Sequence, residues 1–351
     1  MEKVKKRELF ADLLRCIAIL SIIVIHTTSN YYVDSYGTKT FCFLLPISSF
    51  TSCAVPIFYM LSGCFLLDIK NSDFSIFYKK TLKIFLQTIF WSFIYILVFK
   101  FIMHQDLNIF KSFIKSLTSE QVGHLWYMYP LIGLYILTPF ISKIYNALNI
   151  REKKILLAIV FFIPLLLSTI QIKFWDLITI PKFAIFFPEL GLFILGRYIY
   201  EQRDKITNKK ISILSFLGII VGITLIVLLA LLYIKKDGIS SYKPYFDYNK
   251  IPNVLLDIAL FIFAMSLNKK LMKLPSKIKK AISFVGTNTG GIYFIHMFFI
   301  YLFPDINILG IRFTANQGRL IYMIMGAMLY FSLSLVTTMI IKKIPIVKKS
   351  V

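Results

Sequence analysis

Long apolar segments alternate with short polar segments along the whole chain. Ten of the apolar segments are long enough to cross a membrane as helices, because a spanning helix needs about 20 mainly apolar residues. They cover roughly residues 9–30, 42–67, 84–103, 125–142, 155–172, 183–200, 211–234, 251–268, 288–304 and 318–341. The pattern predicts an all-α transmembrane helix bundle of about ten spans, formed by residues 1–351 as a single domain.

Lys and Arg are distributed unequally between the polar segments. Of the 40 Lys and Arg residues, 27 lie in the N-terminal segment, the even-numbered loops and the C-terminal segment, and 12 lie in the odd-numbered loops. Cytoplasmic loops of membrane proteins carry the excess of these residues. Both termini are therefore predicted to be cytoplasmic.

The composition supports a membrane protein and argues against nucleic-acid binding. Hydrophobic residues make up 58% of the 351 positions, and the mean hydropathy is +0.74. The net charge of +23 comes from clusters between apolar segments, which are typical of topology signals rather than of a basic face that binds nucleic acid. The four cysteines have no CxxC spacing, so the sequence gives no support for a disulfide framework or a zinc site.

Two ionisable residues, Arg15 and His26, interrupt the first apolar segment. Eleven helical steps place them on one face, roughly 16 Å apart along the axis. Ionisable groups inside spanning helices usually face a bundle interior or a water-filled cavity, so the pair indicates a polar corridor. A second interpretation is open: Arg15 could pair with Asp12 or reach the headgroups, and His26 could be a neutral, hydrogen-bonded residue.

The fourth segment begins with His124 and Trp126, at the predicted level of His26. The two histidines could therefore border one cavity that opens outward. Trp126 also suits the aromatic belt at a membrane interface, which is the commoner role of such a residue.

Further polar side chains lie in the sixth, eighth and ninth segments. Glu189 and Asp257 are both candidate partners for intramembrane cations, but for Asp257, near the outer interface, simple solvation is the favoured interpretation. Asn288, Tyr293 and His296 enter the ninth segment. The histidines lack the HxxxH, ExxH or thiolate neighbours of common metal centres, so no metal site is predicted.

Taken together, the motifs resemble those of the acyltransferase-3 family of integral membrane O-acyltransferases. The matching residues are Arg15 with ten residues before His26, VPIFYMLSG at 55–63, HLWYMYPLIGLYILTP at 124–139, GRYIY at 196–200 and GTNTGGIYFIH at 286–296. These motifs extend from the first to the ninth segment.

The resemblance implies a ten-helix bundle, an acyl-CoA donor on the cytoplasmic side and a glycan or glycolipid acceptor at the cell surface. The chain ends ten residues after its last segment, so it looks most like the stand-alone glycan O-acetyltransferases, with acetyl-CoA as donor. Lys79, Lys80 and Lys83 open the third segment, where the family often has arginines. They are candidates for binding the donor phosphates, although lysine lacks the planar fork of arginine.

The chemistry of the residues agrees with acyl transfer. A hydroxyl acceptor needs a base, and we predict His26 in that role, with Arg15 holding the donor. His124, Trp126, Glu189, Asn288, Tyr293 and His296 are predicted to shape the substrate site. Transfer through an acyl-histidine intermediate is an open alternative to direct transfer. A glycolipid or polysaccharide flippase or exporter without acyl transfer is the alternative function, and a homo-oligomer is an open possibility for the assembly. The predicted location is a bacterial plasma membrane.

Overall fold

The computed structural model describes residues 8–29, 31–68, 74–170, 188–239, 248–303, 307–308, 311–312, 320–345 and 347–351. The first helices are α1 (Leu9–Thr28), α2 (Tyr31–Asp34), α3 (Lys39–Thr51), α4 (Ala54–Leu66), α5 (Phe74–Leu97), α6 (Ile109–Ser116), α7 (Met128–Ala147), α8 (Ile150–Leu157) and α9 (Ile163–Ile170). The later helices are α10 (Pro188–Glu201), α11 (Arg203–Ile206), α12 (Lys209–Asp237), α13 (Ile251–Ser266), α14 (Asn268–Leu271), α15 (Ser276–Leu302) and α16 (Leu320–Lys343).

Shorter elements complete the description. Five-residue π-helical turns extend α5 at Val98–Ile102 and join α8 to α9 at Ala158–Phe162, and 3₁₀ turns lie at Gly123–Tyr127 and Lys348–Ser350. Strands β1 (Asn307–Ile308) and β2 (Ile311–Arg312) form one antiparallel pair. The described part of the chain is thus a helical bundle, as predicted.

Six helical stretches of the described residues are long and apolar enough to cross a membrane. They are Leu9–Thr28, Lys39–Leu66, Phe77–Ile102, Gly123–Ala147, Lys209–Lys235 and Met323–Lys343. They correspond to the first four, the seventh and the tenth predicted segments. The eighth segment is the shorter apolar helix Ile251–Ser266, and the ninth lies within α15. Parts of the fifth and sixth segments lie outside the described residues, so the total of ten stays a prediction.

The second predicted segment is divided into α3 and α4 at Ser52 and Cys53. Pro56 explains the division, because proline has no N–H to bond to the carbonyl four residues earlier, here that of Ser52. The side-chain amide of Asn253 donates to the hydroxyl of Ser52 over 3.1 Å. The turn between α3 and α4 therefore places the hydroxyl of the buried Ser52 inside the bundle.

Two glycines allow α4 and α10 to pack backbone against backbone. A Cβ atom on Gly63 would lie 1.7 Å from the carbonyl oxygen of Phe193, and one on Gly196 would lie 2.0 Å from that of Met60. Small residues permit such an approach between membrane helices. The backbones of α4 and α10 therefore lie in direct contact at these two positions.

Helix α1 lies inside the bundle and contacts α3, α4, α13, α15 and α16. Its contact with α15 is close at Gly286, where a Cβ atom would lie 2.8 Å from the Cβ of Asp12. Because α1 and α15 lie side by side, the polar residues of the first and ninth predicted segments share one interior.

Candidate active site

Three histidines from distant parts of the sequence form a cluster inside the bundle. His26 lies near the end of α1, His124 lies in the 3₁₀ turn before α7, and His296 lies in α15. The ring centroid of His296 is 5.3 Å from that of His26 and 5.2 Å from that of His124, and the rings of His26 and His124 are 6.5 Å apart. We call these residues the histidine cluster.

The buried rings of this cluster have unused hydrogen-bonding capacity. Three ring nitrogens are buried without a hydrogen-bond partner among the described residues. They are both nitrogens of His124 and the Nε2 atom of His296. A buried polar group without a partner costs about 1–3 kcal/mol, and most such groups in proteins are paired with protein or ordered water. The cluster is therefore suited to receive a polar ligand.

The Nδ1 atom of His296 lies 2.7 Å from the backbone carbonyl oxygen of Tyr293. A carbonyl oxygen only accepts, so Nδ1 carries the hydrogen and Nε2 of the neutral ring has the lone pair.

The described residues contain no group of three or more His, Cys, Asp or Glu side chains arranged to hold a metal ion.

A cavity of about 320 Å³ adjoins the cluster, and we call it the histidine cavity. Its lining combines hydroxyl groups, aromatic rings and two histidines: Ile22, Ile25, His26, Ser29, Ser48, Thr51, Ser52, Ala54, Val55, His124, Trp126, Tyr127, Tyr248 and Tyr293. His26 and His124 thus line the same cavity, and its opening to the outer side stays a prediction. The volume is within the range of small-molecule sites.

Trp126 faces this cavity and stacks on Tyr248, with ring centroids 6.0 Å apart and planes 10° from parallel. The hydroxyl of Tyr248 donates to the carboxylate of Glu189 over 2.8 Å. Glu189 was considered as the partner of a cation, and in the structure it fixes an aromatic side chain of the cavity.

A second cavity, of about 270 Å³, contains Arg15 and is called the arginine cavity. Its lining is Arg15, Phe58, Leu61, Ser62, Phe65, Leu66, Tyr127, Met128, Leu131, Tyr135, Thr289, Gly290 and Tyr293. Nη1 of Arg15 lies 2.9 Å from Oδ1 of the fully buried Asp12. Asp12 also accepts a hydrogen bond from Ser283 over 3.0 Å.

Arg15 has two kinds of surroundings in the structure. The guanidinium pairs with Asp12, yet its side chain is 30% exposed and reaches the cavity. Guanidinium has five N–H groups, and within the described part of the chain this pair is formed through Nη1. Asp12 positions the cation while leaving donors for an anionic ligand.

The two cavities share two lining residues, Tyr127 and Tyr293, which we call the tyrosine wall. The ring centroids are 5.7 Å apart and the planes meet at 67°. The hydroxyl of Tyr293 donates to the backbone carbonyl of His124, and the ring of Tyr59 packs against Tyr127 at 4.9 Å. The wall is therefore held in place from both sides.

The remaining predicted site residues lie away from both cavities. Lys79, Lys80 and Lys83 are exposed in the first part of α5 and line neither cavity. Asn288 accepts a hydrogen bond from Lys342 over 2.6 Å. Lys342 lies near enough to Lys83 for their charges to interact, so this region presents positive charge beside α15.

Sequence reasoning was wrong about Asp257 and incomplete about tyrosine. Asp257 is fully buried, and neither carboxylate oxygen has a hydrogen-bond partner among the described residues. It lies two turns inside α13, which packs against α12, so it is not solvated. From the sequence, Tyr127 was only part of the motif at 124–139, and Tyr248 was not singled out. Tyr127 directly follows Trp126 in the sequence, which was the one signal available, whereas Tyr248 meets Glu189 and Trp126 only through the fold.

These features define a multi-pass membrane protein with an internal polar site between its helices. The family model described as "Acyltransferase domain", of the acyltransferase-3 family, matches residues 8–342. The chain therefore belongs to the acyltransferase-3 family and is an acyltransferase. Comparisons with curated proteins and with solved structures find no significant match.

Proposed function

We propose that the protein moves an acyl group, most simply acetyl, from acyl-CoA on the cytoplasmic side to a hydroxyl of a cell-surface polysaccharide or glycolipid. Its location would be a bacterial plasma membrane. One observation carries the proposal: His26 and Arg15 lie on one helix and line two cavities that meet at the tyrosine wall. This arrangement supplies a base and a cation on opposite sides of one short barrier.

The histidine cavity suits a sugar hydroxyl. Trp126 and Tyr248 present flat apolar faces, which pack against the apolar faces of sugar rings, and Ser48 and Ser52 supply hydroxyl groups beside them. His26 lines the same cavity, so an acceptor hydroxyl within it can approach the imidazole. Histidine is suited to take up a proton near neutral pH.

The arginine cavity suits the donor. A guanidinium binds phosphate oxygens through planar, paired hydrogen bonds, and Asp12 holds Arg15 in position for this. Lys79, Lys80 and Lys83 keep their proposed role as additional phosphate contacts, at the surface rather than in the cavity. Their exposure leaves these cations accessible to a soluble donor.

The transfer step conserves protons. His26 takes the proton of the acceptor hydroxyl as the oxygen attacks the thioester carbonyl carbon. A C–O bond forms, the C–S bond breaks, and the CoA thiolate takes the proton from the imidazolium, which regenerates neutral His26. In a two-step variant, a ring nitrogen of His26 attacks the thioester, an N–C bond forms as the C–S bond breaks, and the CoA thiolate takes the proton that the ring loses. The acceptor oxygen then attacks the acyl carbon, a C–O bond forms as the N–C bond breaks, and the hydroxyl proton returns to the ring.

The test is acyl transfer by the purified protein in lipid nanodiscs, with radiolabelled acetyl-CoA and glycan acceptors. We expect His26→Gln to lower turnover by about 10²–10⁴-fold, as loss of a general base does, while its melting temperature stays near that of the wild type. The matched control is His104→Gln, because His104 is exposed and lies outside the histidine cluster. Normal turnover in a folded His26→Gln protein would refute the assignment.

Two further measurements complete the test. Acid quenching during turnover distinguishes the two routes, because only the two-step route leaves label on the protein. Mass spectrometry of surface glycans from cells with and without the gene identifies the acceptor. No difference in acylation between those cells, together with no turnover in nanodiscs, would contradict the proposed function.

A further inference from the structure

We infer that Tyr127 and Tyr293 set the length of the acyl group that the enzyme transfers. This inference rests on the proposed function and adds a specificity to it. Of the described residues that line the histidine cavity, these two alone also line the arginine cavity. The tyrosine wall therefore borders both cavities, and an acyl group that moves from the arginine cavity to the histidine cavity passes along it.

The route of the acyl group leads to this wall. Eleven helical steps of α1 separate Arg15 from His26, which corresponds to roughly 16 Å along the helix. The phosphates of the donor bind at the arginine end, and the acyl group is the far end of the same molecule. The acyl group is therefore the first part of the donor to meet the wall, and the thioester carbonyl must come within reach of the hydroxyl at His26.

The wall is closely packed and anchored. Both tyrosines are 4% exposed, and their ring centroids lie 5.7 Å apart in an edge-to-face arrangement. Tyr293 is fixed by its hydrogen bond to the His124 carbonyl, and Tyr127 packs against Tyr59. A short acyl group requires a small displacement of these rings, whereas each added methylene requires a larger one.

The other residues that line the arginine cavity do not limit the length of the acyl chain. They are mainly aliphatic and aromatic, with Leu61, Leu131 and Met128 among them. Such a surface favours longer acyl chains, because each buried methylene is favourable in an apolar site. Selectivity against longer acyl chains therefore has to come from the tyrosine wall. Removal of one of its two rings should weaken that selectivity.

The first measurement uses the wild-type protein and the series acetyl-, propionyl-, butyryl- and hexanoyl-CoA. We expect kcat/KM to fall by about tenfold or more between acetyl and butyryl, since one methylene in a fitted pocket changes selectivity by about 10–200-fold. Equal kcat/KM values across the series would overturn the inference without the need for any variant.

The second measurement uses Tyr127→Leu, which removes the ring but keeps an apolar side chain. We expect the ratio of kcat/KM for butyryl-CoA to that for acetyl-CoA to rise by about tenfold. Tyr127→Phe, which keeps the ring, should retain the wild-type ratio. Tyr135→Leu is the matched control, because Tyr135 lines only the arginine cavity, and it should also retain the wild-type ratio.

The outcomes separate the inference from the proposed function. Absence of transfer from every donor in the wild type would contradict the proposed function itself. Transfer of acetyl with an unchanged ratio in a folded Tyr127→Leu protein would overturn only the inference. If Tyr127→Leu does not fold, Tyr293→Leu tests the second ring, and the wild-type donor series decides independently.

Discussion

The backbone carbonyl oxygen of Tyr293 and the Nδ1 atom of His296 lie 2.7 Å apart, one helical turn from each other in α15. This contact assigns the ring hydrogen to Nδ1 and leaves Nε2 as an acceptor without a hydrogen-bond partner among the described residues. Tyr293 is also a member of the tyrosine wall. One turn of α15 therefore carries a residue of the wall and a member of the histidine cluster, whose ring centroid lies 5.3 Å from that of His26.

The first prediction follows from that contact and concerns His296→Phe. The substitution keeps an aromatic ring in a fully buried position but removes both nitrogens. We expect turnover to fall by about tenfold, less than the roughly 10²–10⁴-fold expected for the base His26, and the melting temperature to fall as well. Turnover and thermal unfolding of purified protein measure the two effects. A loss as large as that of His26→Gln would instead indicate that His296 is the base.

The second prediction separates the two roles of Arg15. Arg15→Ala leaves the buried Asp12 carboxylate without its cation, which we expect to cost about 1–3 kcal/mol of stability. Adding Asp12→Asn should recover the melting temperature, because the uncompensated charge is removed. Acyl-CoA affinity should stay low in the double variant and should be intermediate in Arg15→Lys, which keeps the charge without the planar fork.

Calorimetric titration of the same purified variants with acyl-CoA provides the measurement. Wild-type affinity in the stable Arg15→Ala, Asp12→Asn protein would show that Arg15 has only a structural role. Lys79, Lys80 and Lys83 would then be the next candidates for donor binding.

The third prediction concerns the contact between α4 and α10. Gly63→Ala and Gly196→Ala each place a methyl group where backbone atoms of the facing helix already lie. We therefore expect each substitution to destabilise the protein by about 1–3 kcal/mol. Gly133→Ala is the control, since a Cβ atom at Gly133 meets nothing within 4 Å and alanine favours helix. Thermal unfolding in one detergent compares all three. Equal melting temperatures for Gly63→Ala and Gly133→Ala would contradict the close contact.

The fourth prediction concerns topology. Because 27 of the 40 Lys and Arg residues lie on one side of the predicted spans, reporter fusions after Lys210 and Lys280 should be cytoplasmic. A fusion at Ser119, in a loop that carries few positive charges, should be exterior. The opposite pattern would reverse the sides proposed for donor and acceptor.

The sequence predicted the helices and the shared cavity of His26 and His124 well, because both follow from local properties. Apolar length defines a spanning helix, and two residues at the same depth in neighbouring helices can meet. Depth does not reveal which helices are neighbours. The proximity of His296 to His26 depends on the packing of α1 against α15, and the burial of Asp257 depends on the packing of α13.

Pairing between polar side chains was equally hard to predict. Glu189 was a candidate partner for a cation, whereas in the structure it accepts a hydrogen bond from Tyr248, which lies 59 residues away in sequence. The pairing of Arg15 with Asp12 and its place in the lining of a cavity were alternatives in the sequence, and the structure contains both contacts. Periodicity along one helix carries no information about such contacts between helices.

The contact of Gly63 and Gly196 also constrains how relatives of this protein can diverge. Each glycine meets a backbone carbonyl, of Phe193 and of Met60, and a carbonyl group is the same for every amino acid. No substitution at Phe193 or Met60 can therefore make room for a side chain opposite. Gly286 is constrained in a different way, because a Cβ atom there would meet the Cβ, Oδ1 and Cα atoms of Asp12, the residue that positions Arg15. Over evolutionary time, positions 63 and 196 should stay glycine whatever residues face them, whereas position 286 should stay glycine as long as position 12 carries a side chain.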